Sequence, residues 1–544
     1  MKLRLAVFLL ALAPLARAQD ADPPEVSLGE RLFLETRFAQ FFAANSGGDV
    51  NRPLGNGGDP ALAETETTGA PLPGPFAGQA MNCRACHLVD EQLQRDASGL
   101  PDLSVGGMRS YADFARRSPI PARPDGRTHT PRNSPPLVNA TLPRKVGLEL
   151  HFDGEFASLV DLVKETLVGR NYGWLPTERK QAVAQIAHVI RQDDGRAELA
   201  NEYGGSYRRV LAGTDPNLPE DLVLPPILRL NVDKANDTQI VNEVAKLIAR
   251  YVESLEFSKD STGAFSASPY DLFLLRNNLP RRPKGRETAA QYSQRLEAAL
   301  DALPTPLFVA EIDGPFALHA EPFRFDAQEL EGLRIFLRTQ GSSSVGNCVA
   351  CHPAPDFTDF VFHNTGVTQR EYDGVHGAGA FAALEIPSRS DRLADPNAFL
   401  PPTAKHPFAT GRFRAAADAG DPDLADLGVW NVFMNSDFPR PQSRLKRMIQ
   451  RTLTGKVTKD ELLDAAIARF KTPGLRDLGH SDPYLHDGSA DTRADVIGFY
   501  AGVASLQRAG ALRNGDPELA KIQLSGADVA PLVAFLQALD EDYQ

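Results

Sequence analysis

Apolar residues recur along this chain at the spacing of one helix face. Val241, Val244, Ala245, Ile248, Val252 and Leu255 keep a period of about 3.6 and predict a helix over 241–256. The same period predicts helices over 158–168, 177–191, 288–302, 328–339, 460–470 and 526–539. Strict alternation is sparse, so most periodic segments read as helix. Its 42 Pro and 43 Gly predict long, irregular connections. Two stretches read as inserted loops: 45–79, rich in Gly, Pro and Thr, and 374–426, rich in Ala, Asp, Pro and Gly. Such loops either shape access to a site or decorate the surface.

The first residues change that picture. Lys2 and Arg4 precede an apolar run over 5–15, and Ala16-Arg17-Ala18 is a small-x-small cleavage site. This predicts an export signal over 1–18 and a mature start near Gln19. The run is too short for a membrane span, and no later stretch is long and apolar enough for one. The formal net charge of −12 becomes more acidic once the leader's three cations are removed. That balance argues against nucleic acid as a partner. It suits a solvated surface, or docking of a basic electron-donor protein.

All 4 cysteines fall in two words, NCRACH (82–87) and NCVACH (347–352). A Cys-x-x-Cys disulfide closes a tiny loop and constrains little of the unfolded chain. A redox pair leaves the histidines unexplained twice. A four-cysteine zinc site needs closer pairs and no histidine. C-x-x-C-H is the attachment signature of a c-type haem. Two thiols a helical turn apart reach two vinyl groups, and the adjacent histidine binds iron from below. The words therefore predict two covalently attached haem c groups, on Cys83 and Cys86 and on Cys348 and Cys351. His87 and His352 are the proximal ligands. Upstream of each word stands a similar helix, Leu28-Gly29-Glu30-Arg31-Leu32-Phe33 and Leu330-Glu331-Gly332-Leu333-Arg334-Ile335-Phe336, as expected of two copies of one small haem unit.

Longer motifs carry a resemblance. They are SLGERLF (27–33), CRACH (83–87), TPRNSPPLVNA (130–140), FDGEFASL (152–159), SPYDLF (268–273), CVACHPAPDFTDFVFHNTG (348–366) and KTPGLRDLGHSDPYLHDGSADTRADVIGFY (471–500). With these the chain resembles the bacterial dihaem cytochrome c peroxidases, and more closely their MauG-like branch. The resemblance implies two all-α cytochrome c-like haem domains packed together, with long irregular loops. The N-terminal, peroxidatic domain would span 19–310 and the C-terminal, electron-transfer domain 311–544. It implies a calcium ion between them, on Asn133 and the carbonyls of Ser481 and Pro483, all hard oxygen donors. As residues alone, these three also read as ordinary turn positions.

The second haem's far ligand is the informative position. The better-known peroxidases have methionine fourteen residues after the histidine of HDG; here that histidine is His486 and the position is Tyr500. The MauG-like branch has tyrosine there. A phenolate is hard and anionic and favours Fe(III) and Fe(IV) over Fe(II). Read without the resemblance, Tyr500 is an aromatic on a helix face. Met434 and Met448 are the alternative thioether ligands.

Three departures from the family pattern stand out. No histidine occupies the sixth-ligand spacing after His87, so the first haem is expected to be open; His129 is the nearest candidate for a weak ligand, and a loop histidine is also ordinarily just solvated. Phe152 stands where the family commonly has tryptophan before Asp-Gly, which puts hole transfer through that side chain in doubt. Trp174 and Trp430 are either relays or core. The distal acid–base positions fall on Leu162 and Tyr172, and an insertion of one turn brings Glu165 or Glu178 into play. Arg476 and His486 are expected near haem propionates or between the haems.

The resemblance thus implies a periplasmic haem peroxidase. It would reduce hydrogen peroxide through a two-iron(IV) state, with electrons from a small cytochrome c or cupredoxin. One alternative is MauG-like oxidation of a side chain on a partner protein. Another, of a different class, is a dihaem electron carrier with no open site.

Overall fold

The computed structural model describes residues 22–52, 82–83, 86–87, 117, 120–142, 144, 147–316, 319, 321–451 and 453–542. The leader, and most of the 45–79 stretch, lie outside them. The helices that carry the packing are α1 (Pro24–Phe33), α2 (Leu159–Leu167), α3 (Arg179–Gln192), α4 (Asp237–Ser254), α5 (Pro269–Arg276), α6 (Ala289–Asp301), α7 (Ala327–Leu337), α8 (Arg493–Arg508) and α9 (Val529–Gln537). Strands are few, so the chain is helix-rich, as its period predicts.

Local chemistry sets the helix starts. The Asn236 side chain accepts from the Gln239 N–H, and Gln239 returns a bond to the Asn236 N–H. That capping box opens α4, and Thr288 with Gln291 opens α6 in the same way. The buried face of α4 includes Ile240, Val244, Leu247, Ile248 and Tyr251. It packs against α1, α2 and α3 and forms the first core, drawn from residues between Val26 and Leu255.

The second core begins at Tyr270 and is built on α5, α6, α7 and α9. By packing, α5 and α6 therefore join the C-terminal part of the chain, although both precede residue 310. Tyr270, Phe325, Phe357 and Phe535 pack ring against ring there.

The two upstream repeats form the same joint. In α1, a Cβ on Gly29 would collide with the Leu247 carbonyl of α4. In α7, a Cβ on Gly332 would collide with the Pro531 carbonyl of α9. Each glycine lets two helices cross in backbone contact. Gly29-Glu30-Arg31-Leu32-Phe33 and Gly332-Leu333-Arg334-Ile335-Phe336 thus occupy equivalent places.

The 374–426 stretch is more ordered than its composition predicts. Short helices at Val367–His376, Ala380–Ala383, Arg389–Ala394 and Pro396–Phe399 lead into a third core around Phe381, Phe413, Leu427 and fully buried Trp430. Strand β1 (Phe362–His363) pairs antiparallel with β2 (Phe470–Lys471) and closes this unit at its base. The helix expected over 460–470 accordingly ends at Asp464. Ala468 has φ 55°, its N–H donates to the Leu427 carbonyl, and the Val429 N–H donates to the Arg469 carbonyl. Pairing with the inserted segment replaces the last helical turns. Among the described residues, no helix is long and apolar enough to cross a membrane.

Candidate active site

The first word hangs from the end of α1. The Cys83 N–H donates to the Phe33 carbonyl at 3.1 Å, and the Asn82 amide to the Leu34 carbonyl at 2.9 Å. The His87 N–H returns to the Cys83 carbonyl at 3.0 Å, a single helical turn. His87 Nδ1 lies 2.9 Å from the Pro135 carbonyl, which fixes Nδ1 as the protonated nitrogen and leaves Nε2 as a ligand. Burial pushes His87 down to about 4, with His151 acting in the same direction. The ring is therefore neutral, the form that binds metal. Cys83 is a free thiol pushed up to about 12 by burial, and Tyr172 Oη stands 3.3 Å from its sulfur.

The second word repeats this design at the end of α7. The Gly346 N–H donates to the Ile335 carbonyl at 3.0 Å. The His352 N–H returns to the Cys348 carbonyl at 2.8 Å, and His352 Nδ1 lies 2.8 Å from the Phe357 carbonyl. A cavity of about 230 Å³ opens beside it, lined by Cys348, Cys351, His352, Leu475, Ile497 and Tyr500, among others. Tyr500 projects from α8 into this lining. Burial, and the cysteines beside it, hold its hydroxyl above the ordinary phenol value. Met434 and Met448 instead pack in the third core, away from the cavity lining. Free thiols, a neutral histidine with one committed nitrogen, and a phenol in one apolar cavity make a donor set that fits a covalently held haem.

Phe152, Phe470, Arg476 and His486 line the same cavity. The His486 ring stacks on Phe470 at 3.5 Å and 13°, and the Phe152 ring centre is 6.4 Å away. Burial pushes His486 down to about 4, and its Nε2 has no hydrogen-bond partner among the described residues. Arg476 lines the cavity with its charge engaged: it donates to both Asp271 oxygens at 2.9 and 3.0 Å and lies 3.9 Å over the Phe265 ring. The Asn133 N–H donates to the His486 carbonyl at 2.7 Å, and the Asn133 side-chain amide meets the Pro483 carbonyl. The amide oxygen accepts the Ser134 N–H at 3.0 Å, and this oxygen and the Pro483 carbonyl are hard donors of the kind calcium takes. Ser481 Oγ donates to the Asp477 carbonyl at 3.1 Å.

The distal candidates are spread more widely. Glu165 is bound through both oxygens by Arg179, at 2.5 and 2.7 Å, in a partly exposed pair. Glu178 pairs with Arg123 and accepts the Leu175 N–H at 2.9 Å, a helix-start role. His129 is exposed, with Nδ1 2.9 Å from the Thr130 carbonyl. It does not approach a haem word through that contact. Trp174 is buried in the first core and donates to the Phe38 carbonyl at 3.0 Å.

Sequence reasoning missed an ion network behind Phe152. Arg132 donates to Asp153 at 2.7 Å and grips Asp426 at 2.5 and 2.8 Å. Arg414 pairs with Asp153 and with Glu155 at 2.8 Å. The inserted segment thus supplies Asp426 and Arg414 to the TPRNSP and FDGE motifs. The only signal in the sequence is the charge that each motif carries, Arg132 in one and Asp153 with Glu155 in the other. His363, also missed, lies between Asp516 at 2.6 Å and Asp359 at 3.0 Å, which push it up to about 12 against its burial.

No family model matches the chain. A cytochrome-c peroxidase, IdrP2 of Denitromonas iodatirespirans, is 28% identical over 213 residues, 39% of this chain and 40% of that protein. The methylamine utilization protein MauG of Methylophilus methylotrophus is 41% identical over 71 residues, 13% of this chain and 20% of that protein. The chain therefore spans less than half the length of these curated relatives. The crystal structure of the diheme peroxidase BthA from Burkholderia thailandensis aligns over 96% of this chain and 87% of that one, with a TM-score of 0.43 and 17% identity. Over the segments that these sequence matches span, the chain is similar to a cytochrome-c peroxidase and to MauG.

Proposed function

We propose that the chain is an exported, periplasmic dihaem peroxidase that reduces hydrogen peroxide with electrons from a small cytochrome c or cupredoxin. The observation that carries this reading is the unequal pair of words. Both histidines have Nδ1 committed to a carbonyl, and one of the two words faces Tyr500 across a cavity. The two haem c groups, when bound, supply cleavage of peroxide and storage of its oxidising equivalents. The chain's own residues do the rest. Cys83, Cys86, Cys348 and Cys351 hold the groups in place. Pro135 and Phe357 fix the tautomers of His87 and His352. Tyr500 closes the second cavity from α8. Asn133, with the Ser481 and Pro483 carbonyls, holds calcium where the TPRNSP and HSDPYLHDG motifs meet. Glu165 or Glu178 moves the peroxide proton once released from its arginine. The unit built on the first core, ending near Leu255, and the unit built on the second, beginning near Tyr270, carry one haem each.

Tyr500 also favours the second reading, MauG-like oxidation of a side chain on a partner protein, because an anionic ligand favours oxidised iron. The test is maturation in a host that attaches haem c. Two haems per chain by pyridine haemochrome are expected, with a Soret change on adding peroxide. Two low-spin ferric haems that ignore peroxide would leave only an electron carrier.

A further inference from the structure

Lys471 lies in the wall of the second cavity. Its strand partner is Phe362, and its backbone N–H donates to the Phe152 carbonyl at 2.7 Å. Its amine runs back to the Glu149 carbonyl at 3.2 Å. There the Glu149 side chain is fully buried, and neither carboxylate oxygen has a hydrogen-bond partner among the described residues. Arg444 Nη1 stands 3.8 Å from Oε1 and donates instead to the Leu148 carbonyl at 2.8 Å. Arg144 places its donors on the Ala140 and Glu149 carbonyls, at 2.6 and 3.3 Å.

An acid buried without donors disfavours its charged form, and so does a buried amine. Here the charge of each acts on the other, the Lys471 amine reaches the Glu149 backbone carbonyl, and Lys471 is one of the cavity's lining residues. We propose that Glu149 and Lys471 are a proton-holding pair that exchanges one proton with water as one electron enters or leaves the second cavity. The proposal rests on the dihaem peroxidase reading.

The charges around the pair support it. Burial pushes Glu149 up to about 7, opposed by Arg444, Arg144, Lys471 and Arg447. Burial also pushes Lys471 down to about 7, with Arg144 acting the same way and Glu149 and Asp153 opposing. Both groups thus sit where a nearby charge changes their occupancy at neutral pH. The balance is simple. The pair takes one proton from water as one electron arrives from the donor protein. It returns that proton as the electron passes toward peroxide, whose reduction to two waters consumes two electrons and two protons.

The test is redox-difference infrared spectroscopy on the haem-loaded protein, run beside an indicator-dye measurement of proton uptake near pH 7. A carboxyl C=O band that appears on reduction is expected, and it should vanish in Glu149→Gln. Proton uptake per electron should fall at least two-fold in that variant. A wild-type spectrum without a carboxyl band overturns the proposal, as does a band that survives Glu149→Gln. A chain that binds no haem at all overturns the parent reading instead, and haem absorbance tells the two failures apart.

Discussion

Replacing Arg132 with methionine tests the tie between the inserted segment and the FDGE motif. The guanidinium is the shared partner of Asp153 and Asp426, whose side chains are 0% and 1% exposed. Without it Asp153 keeps Arg414, and the Asp426 side chain keeps only the Gly428 N–H, at 3.0 Å, among the described residues. A buried carboxylate stripped of its cation costs about 3–5 kcal/mol. That is a factor of roughly 10²–10⁴ in the folding equilibrium, at about 1.4 kcal/mol per decade. The double variant Arg132→Met/Asp426→Asn removes the stranded charge and should recover about half of the loss. Urea unfolding followed by circular dichroism measures both. The pH dependence carries the same signature. Arg132 holds Asp426 below the usual carboxylate range against its burial. A depressed carboxyl contributes stability above its unfolded value, and that stability is lost as pH falls. The wild type should therefore weaken below about pH 4, and Arg132→Met should show a shallower acid slope. A single variant losing under about 1 kcal/mol, with a double variant that is simply additive, would refute the reasoning.

Three further outcomes follow from the site and the packing. Tyr500→Phe should change the electronic spectrum of one haem while leaving the haem count at two; unchanged spectra would exclude Tyr500 as a ligand. Gly332→Ala should destabilise the chain by about 1–3 kcal/mol in urea, because the helices must separate to admit a methyl group; a neutral result would contradict the backbone contact. Glu165→Gln and Glu178→Gln separate the two distal candidates: the true proton mover should lower peroxide turnover by roughly 10²-fold or more, and the other by little.

Much of the fold was legible because long helices state their period. The Thr288 cap falls on the first residue of the helix that the period predicts, whereas the Asn236 cap opens α4 more than a turn before its predicted start at 241. The cysteine words were legible because attachment chemistry demands fixed local spacing. What sequence could not give is contact between distant segments. Phe381 and Phe413 bury in a stretch whose composition reads as loop, because its helices are too short to show a period. Phe470 reads as helix until His363 of β1 offers its backbone another partner. Glu149 gives no signal at all, since a lone glutamate between apolar residues looks the same buried or exposed. The distal pair was blurred for a related reason: Glu165 and Glu178 are separated by a turn-rich stretch around Gly169 and Gly173, where residue counting loses register.

The paired glycine crossings also bear on how each half tolerates change in chain length. In the first half the chain travels from Phe33 to Cys83 before returning to the helix end, and in the second only from Ile335 to Gly346. Each route ends on a backbone bond to the last turn of its helix, at Phe33 in one half and at Ile335 in the other. The helix crossing, not the contour of the intervening chain, decides where the thiols stand. Segments of very different length can therefore be spliced between helix and word without moving the point of attachment, and that is where a lineage or an engineer has room to add chain.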